Sequence, residues 1–230
     1  MNTGAIHLKD VGVRLGDTDV LQEISLDLNA RTVAVIGENG SGKSTFARLL
    51  GGLVPRTSGE LGILGIDPNR RAAELRRRIA VVFSNPDAQI IMPTVAEDVA
   101  FSLRADRLKA AELEARVAAA MERFGLAELA ERASHDLSGG QKQLLALCGA
   151  FVRNPELVIA DEPTAYLDAR NARRVADHLF EDAGHRLVLV THDLALAARC
   201  EQAVLFAGGR LVGVGEPGAV IERYEAVLAC

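Results

Sequence analysis

The stretch TVAVIGENGSGKST, residues 32–45, decides the architecture. Thr32 to Ile36 is a short apolar run ending in glycine, the pattern of a buried strand in a parallel sheet. The residues after it fit G-x-x-x-x-G-K-[ST], and Phe46, Leu49 and Leu50 begin an apolar helix, which is the context this motif needs. Its chemistry can be read residue by residue. Gly37, Gly40 and Gly42, with Asn39 and Ser41 between them, let consecutive backbone N–H groups converge on phosphate oxygens, and the helix that follows adds its positive end. Lys43 is expected to reach the β- and γ-phosphates of a nucleotide, and the Ser44 hydroxyl to sit on Mg²⁺.

Strand patterns continue on the N-terminal side. Ile24, Leu26 and Leu28 alternate with Ser25 and Asp27, and Gly16-Asp17-Thr18-Asp19 marks a turn back to an earlier strand around Ile6 to Leu15. From about Thr94 to Ala133 the sequence turns helical and Ala/Glu/Arg-rich. Leu113, Val117, Met121 and Phe124 fall on one amphipathic face, with Gly125 as the stop. Leu157–Ala160 and Leu187–Val190 are apolar runs that end in Asp161-Glu162 and Thr191-His192-Asp193. Buried strands with polar residues at their C-terminal ends are how an open α/β sheet builds its ligand crevice. Arg210–Gly215 reads as a last strand and Ala219–Leu228 as a closing helix. The expected chain is α/β, with an antiparallel β element at the N-terminus and an inserted helical block.

Two further motifs carry chemistry. Leu-Ser-Gly-Gly-Gln at 137–141 precedes an apolar helical run and reads as a second anion-receiving helix start. Ser138 is its hydroxyl and cap, and Gly139 and Gly140 expose N–H groups. Alone, it is also what a capped helix looks like. In LVIADEPT, residues 157–164, Asp161 at a strand end can hold a Mg²⁺ shell and Glu162 beside it can polarise water. An exposed Asp-Glu pair is more often merely solvated; here it follows the other two motifs in order. A lone histidine is more often structural, yet His192 ends the next strand and so points to the same crevice.

Composition narrows the classes. Of 230 residues, 49% are hydrophobic and 25% charged, which excludes a disordered chain, a collagen and a disulfide scaffold. A net charge of −5 argues against nucleic acid as the main partner. Cys148, Cys200 and Cys230 form no CxxC pair and read as free thiols of a reducing compartment. The start, MNTGAIHLKD, lacks a basic region followed by an apolar stretch, so no signal peptide is expected. The longest uncharged apolar run, Leu144 to Val152, is far short of the roughly 20 residues that cross a bilayer.

Taken together, GENGSGKST, LSGGQ, LVIADEPT, AYLD at 165–168 and VTHD at 190–193 resemble an ATP-binding-cassette (ABC) ATPase over nearly the whole chain. The resemblance implies a RecA-like P-loop NTPase core with an N-terminal antiparallel β subdomain and an inserted helical subdomain. The expected layout is a single domain over 1–230, with core and β subdomain about 1–83 and 154–230 and helical subdomain about 94–153. It also implies a nucleotide-sandwich dimer, most simply of two identical chains. ATP on Lys43, Ser44 and Thr45 of one copy is closed over by Ser138 and Gly140 of the other. By the same resemblance Asp161 supports Mg²⁺, Glu162 activates water, His192 contacts the γ-phosphate, and Asp168 couples the two sites.

Two positions depart from the family. Leu15 stands about where an aromatic ring usually stacks on adenine, a loss of about 1 kcal/mol on aromatic-pair magnitudes. Ser84 stands where a glutamine usually follows the strand Ile79 to Phe83, and Gln89 is the candidate to replace it. The stretch NPDAQIIMPTVAEDVAF, residues 85–101, resembles ATPases of energy-coupling-factor (ECF) importers. With Ser84, the run QKQLLAL after the signature and an end near residue 230, it looks most like the ATPase of tripartite biotin transporters. This implies a peripheral protein at the cytoplasmic face of the membrane, bound to a transmembrane ECF subunit and a substrate-binding membrane subunit. Residues 84–98 would line the docking groove, with Glu97, Asp98 and Asp87 as partners for arginines there. The alternatives are a cobalt, nickel or other-vitamin ECF importer, a conventional ABC importer, or a non-transport clamp or switch. The separation of 94 positions between Lys43 and Leu137 leaves no room for the coiled coil of a chromosome-type clamp.

Overall fold

The structure is a computed structural model that describes residues 5–181 and 184–228. Its strands are β1 (Ile6–Leu15), β2 (Thr18–Leu28), β3 (Thr32–Gly37), β4 (Ser58–Ile63), β5 (Ile79–Val82), β6 (Leu157–Asp161), β7 (Arg186–Val190), β8 (Gln202–Ala207) and β9 (Arg210–Gly215). Its helices are α1 (Lys43–Leu50), α2 (Pro68–Arg78), α3 (Val95–Ser102), α4 (Ala110–Arg123), α5 (Gly139–Phe151), α6 (Ala169–Glu181), α7 (Leu194–Ala197) and α8 (Pro217–Leu228). The chain divides into two units. The first holds the described residues up to Ile79, Leu157–Asp161 and those from Arg186 onward; the second holds Ala80–Glu156 and the described part of Glu162–His185.

The first unit contains two sheets. In the antiparallel one, ordered β2-β1-β4, Ile6 pairs with Leu28 and Ile63, and Leu8 with Leu26 and Leu61. All six side chains are buried, so one face of this sheet is core. A register shift between Leu8 and Val11 at left-handed Asp10 adds a residue, after which Val11 and Val13 are buried. The turn is narrower than the sequence pattern suggests. Only Gly16 and Asp17 form it, because Thr18 pairs with Leu15 and Asp19 accepts two bonds from Arg14 at 2.6 and 3.0 Å.

Within this unit the second sheet runs β6-β7-β3-β8-β9, parallel except for the antiparallel β8–β9 pair. Strand β3 is buried at every position, as its unbroken apolar run requires. Strand β8, with no alternation to mark it, lies beyond the strands read from sequence. Val35 aligns with Val190, and Val190 with Asp161, so β3, β7 and β6 finish at the same edge. That edge positions the site.

The second unit is mainly helical. The expected face of α4 is confirmed: Val117, Met121 and Phe124 are buried and Leu113 is half-buried, with left-handed Gly125 ending the helix. The helical stretch is not continuous, however. Thr94 and Glu97 form a capping box that starts α3, and short 3₁₀ turns at Arg104–Asp106 and Ala127–Leu129 flank α4. Phe124 stacks on Phe151 at 5.8 Å and on His178 at 4.4 Å between centroids. Cys148 and Cys200 are free, and burial pushes both thiols up to about 12. Cys230 lies outside the described residues. Among the described residues, no helix is long and apolar enough to cross a membrane.

Candidate nucleotide-binding site

In the first unit the loop between β3 and α1 is bent by a glycine that nothing else can replace. Gly37 has φ of 143°, and a Cβ there would strike the backbone oxygen of Phe206. The loop curls around the end of the Lys43 side chain. Its Nζ donates to the carbonyls of Gly37 at 2.6 Å and Glu38 at 2.7 Å, although Lys43 is itself buried. Asn39 and Gly40 face solvent, Gly42 caps α1, Thr45 is buried, and the Ser41 hydroxyl is buried without a hydrogen-bond partner. A buried ammonium resting on two carbonyls beside an unsatisfied hydroxyl is a cradle suited to anionic oxygens.

At the sheet edge Ser44 Oγ donates to Asp161 Oδ1 at 3.0 Å. Burial pushes the Asp161 carboxyl above the usual carboxylate range, while the Ser44 bond and the charges of Arg48 and Lys43 pull it back. A hydroxyl and a carboxylate held together are hard oxygen donors of the kind Mg²⁺ prefers. His192 belongs to the same edge. Thr191 N–H donates to Val35 O at 3.2 Å, Thr191 Oγ1 accepts from Asp193 N–H at 3.0 Å, and Asp193 caps α7, leaving His192 exposed between them. The fold thus gathers Gly37 to Thr45, Asp161 and His192 at one edge.

Ser138, Gly140, Glu162 and Asp168 belong to the second unit. Ser138 caps α5 as expected: its hydroxyl accepts from Gln141 N–H at 3.4 Å and its own N–H donates to Gln141 Oε1 at 2.9 Å. A Cβ on Gly140 would lie 2.6 Å from Asn171 Nδ2, so any larger residue there has to displace the Asn171 side chain. Asn171 in turn donates its Nδ2 to Asp168 Oδ2 at 2.7 Å, and the N–H groups of Arg170 and Asn171 donate to Asp168 Oδ1. These bonds hold the Asp168 carboxyl below the usual range. Sequence reasoning missed Asn171; its one signal is the three-residue spacing from Asp168 at a helix start. Glu162 and Tyr166 have left-handed backbones, and Tyr166 is 98% exposed.

A family model described as ABC transporter matches residues 21–165. The chain belongs to the ABC transporter family. Curated relatives cover it almost end to end. A putative ABC transporter ATP-binding protein of Deinococcus radiodurans is 43% identical over 96% of this chain and 97% of its own length. The biotin transport ATP-binding protein BioM of Rhizobium etli is 37% identical over 97% and 99%. Two solved structures share the fold. Clostridium perfringens cbiO1, part of the ABC transporter complex cbiONQ, has a TM-score of 0.85 at 29% identity, covering 99% of this chain and 94% of its own. A dimeric post-hydrolysis state of the ATP-binding cassette MJ0796, bound to ADP and Pi, has a TM-score of 0.81 at 27% identity, covering 92% and 98%. The protein is an ATP-binding, ATP-hydrolysing ABC subunit with the ABC ATPase fold.

In this ABC ATPase the family departures have local consequences. Leu15 is 42% exposed at the end of β1. The Gln89 amide is engaged within its own loop, where Oε1 accepts from Phe83 N–H at 2.8 Å and Nε2 donates to Val81 O at 2.9 Å. Of the three acids expected to face a membrane subunit, Asp98 turns inward. It is buried and accepts from Ile91 and Met92 N–H at 2.9 and 3.0 Å. Glu97 closes the capping box on Thr94, and Asp87 pairs with Lys142 at 2.7 Å; both remain exposed.

Proposed function

We propose that this ABC ATPase powers an ECF-type importer of a micronutrient, with biotin the favoured cargo. ATP enters the loop of residues 37–45, where Lys43 exchanges its two carbonyl acceptors for β- and γ-phosphate oxygens and the N–H groups of Gly40 to Ser44 orient the chain of phosphates. Ser44 and Asp161 would hold Mg²⁺, which would supply neutralisation of the phosphate charge. Glu162 takes the proton of the water whose oxygen attacks the γ-phosphorus as the bond from that phosphorus to the β–γ bridging oxygen breaks, releasing ADP and inorganic phosphate, while His192 contacts the γ-phosphate and fixes its orientation. Ser138 and Gly140 of a second, identical copy close the site, and Asp168 links the two sites. The observation that carries the chemistry is the Ser44–Asp161 bond at 3.0 Å on the edge where Lys43 is cradled.

The transport assignment rests on NPDAQIIMPTVAEDVAF and is supported by the similarity to a biotin transport ATPase. In it the protein is peripheral at the cytoplasmic face, docked through residues 84–98 on a transmembrane ECF subunit that also carries a substrate-binding membrane subunit. The likeness to cbiO1 favours a second reading, an importer of the cbiONQ kind with another cargo. Pull-down of tagged protein from detergent-solubilised native membranes tests both. A small substrate-binding membrane protein with a larger transmembrane scaffold is the expected catch, and the ligand of the former distinguishes biotin from another cargo. Recovery with soluble partners alone contradicts the importer and leaves a nucleotide-gated clamp or switch.

A further inference from the structure

The loop between β5 and α3 is held by side chains from two directions. Phe83 is gripped at both of its backbone groups: its N–H donates to Gln89 Oε1 at 2.8 Å, and its carbonyl accepts from Gln143 Nε2 at 3.1 Å. The other end of Gln89 donates to Val81 O at 2.9 Å, so its carboxamide pairs with the end of β5 much as a neighbouring strand would. Further along, Lys142 Nζ donates to Asp87 Oδ1 at 2.7 Å. Gln143 is only 1% exposed, and a buried amide is costly unless it is bonded. Its bond reaches a backbone carbonyl 60 residues earlier. Lys142 and Gln143 directly follow Gln141, the residue that closes the capping box on Ser138. The first turns of α5 therefore carry both Ser138 and Gly140 and two bonds to the loop, which also exposes Ile91 at 61%.

We propose that Gln89, Gln143 and Lys142 are positioning residues that tie the loop after β5 to the first turns of α5. What holds the loop then also sets the aim of Ser138 and Gly140 at ATP bound by a second copy. This rests on the reading of residues 138–141 as the half-site offered to that copy. In this role Gln89 acts through Phe83 and touches neither nucleotide nor cation. The missing glutamine at position 84 is therefore not replaced by Gln89 as a ligand.

The test is steady-state ATP hydrolysis by the full chain and its variants Gln143→Met, Gln89→Glu, Lys142→Asp, Asp87→Lys and the swap Asp87→Lys/Lys142→Asp. The expected result is a kcat lowered at least about fivefold in each single variant, the lower end of couplings between sites. Affinity for a fluorescent ATP analogue, set by the first unit, is expected to stay unchanged, as is the Mg²⁺ concentration at half-maximal rate. The swap is expected to restore kcat, which a general loss of stability cannot do; thermal melts check that each variant folds. Gln89→Glu keeps the acceptor for Phe83 N–H but sets a carboxylate oxygen against the Val81 carbonyl. If it keeps wild-type kcat and needs less Mg²⁺, Gln89 faces the cation and the tie is wrong. Ser138→Arg serves as the control. If it hydrolyses ATP normally, the half-site reading fails; if it is inactive while the single tie variants turn over like wild type, the tie alone fails.

Discussion

Replacing Gly140 by alanine tests how the signature segment is built. The added Cβ would lie 2.6 Å from Asn171 Nδ2 and nearer still to its Cγ, against an ordinary carbon contact of about 3.5–4.0 Å. Asn171 cannot step aside freely, because its Nδ2 is held by Asp168 Oδ2 at 2.7 Å and its N–H by Oδ1 at 2.9 Å. Overpacking of this kind costs about 1–3 kcal/mol. Alanine returns at most about 1 kcal/mol in helix propensity. Mid-range, about 2 kcal/mol lost less about 1 returned leaves a net loss of about 1 kcal/mol, a melting temperature lower by about 2–4 °C for a chain of this size. Melting curves of Gly140→Ala, Asn171→Ala and the double variant decide it. The double variant should be more stable than the sum of the singles predicts, since Asn171→Ala removes the atoms that clash. Additive losses, or a Gly140→Ala variant as stable as wild type, would refute the contact as the reason for glycine.

Other perturbations act on the first unit. Lys43→Ala should weaken ATP binding about 10- to 100-fold, from loss of charge-assisted contacts worth about 1.5–3 kcal/mol; wild-type affinity in a calorimetric titration contradicts the phosphate role. Asp161 is raised by burial, so the folded chain holds that proton more tightly than the unfolded chain. Stability is therefore lost as pH rises from the ordinary carboxylate value through the raised one. Nucleotide-free Asp161→Asn should melt higher than wild type at pH 7, with the difference closing toward about pH 4; a gap that widens on acidification contradicts this. The same variant should lose Mg²⁺-dependent ATP hydrolysis, whereas full activity would remove Asp161 from the cation site.

What could be read in advance was whatever is encoded over a few consecutive residues. The strand, glycine loop and helix of 32–50 stand as expected because an unbroken apolar run, a glycine-rich loop and an apolar helix face follow one another in consecutive residues, even though the hydrogen bonds of β3 reach β7 and β8; the cap at Ser138 is written in the four residues from Ser138 to Gln141. Asp98 shows the limit. An acid in the first turn of a helix suits the dipole whether it faces out or in. Here two N–H groups of Ile91 and Met92, left without strand partners by the loop, draw it inward. Gln89 and Asn171 were equally opaque, since their partners are the end of a strand and the carboxylate of a loop whose positions only the assembled unit defines. Strand β8 was not read in advance: its four buried central residues show no alternation, and unlike β6 and β7 it does not end in a cluster of charged or histidine residues.

In the proposed mechanism two copies close on ATP, each completing the other's site, and Glu162 drives the hydrolysis that reopens them. Light scattering on Glu162→Gln with and without MgATP tests it most directly. A monomer without nucleotide and a stable dimer with MgATP are the expected result. Adding Ser138→Arg should abolish that dimer while ATP binding persists. A Glu162→Gln chain that stays monomeric at saturating MgATP, or that hydrolyses ATP at the wild-type rate, contradicts the claim.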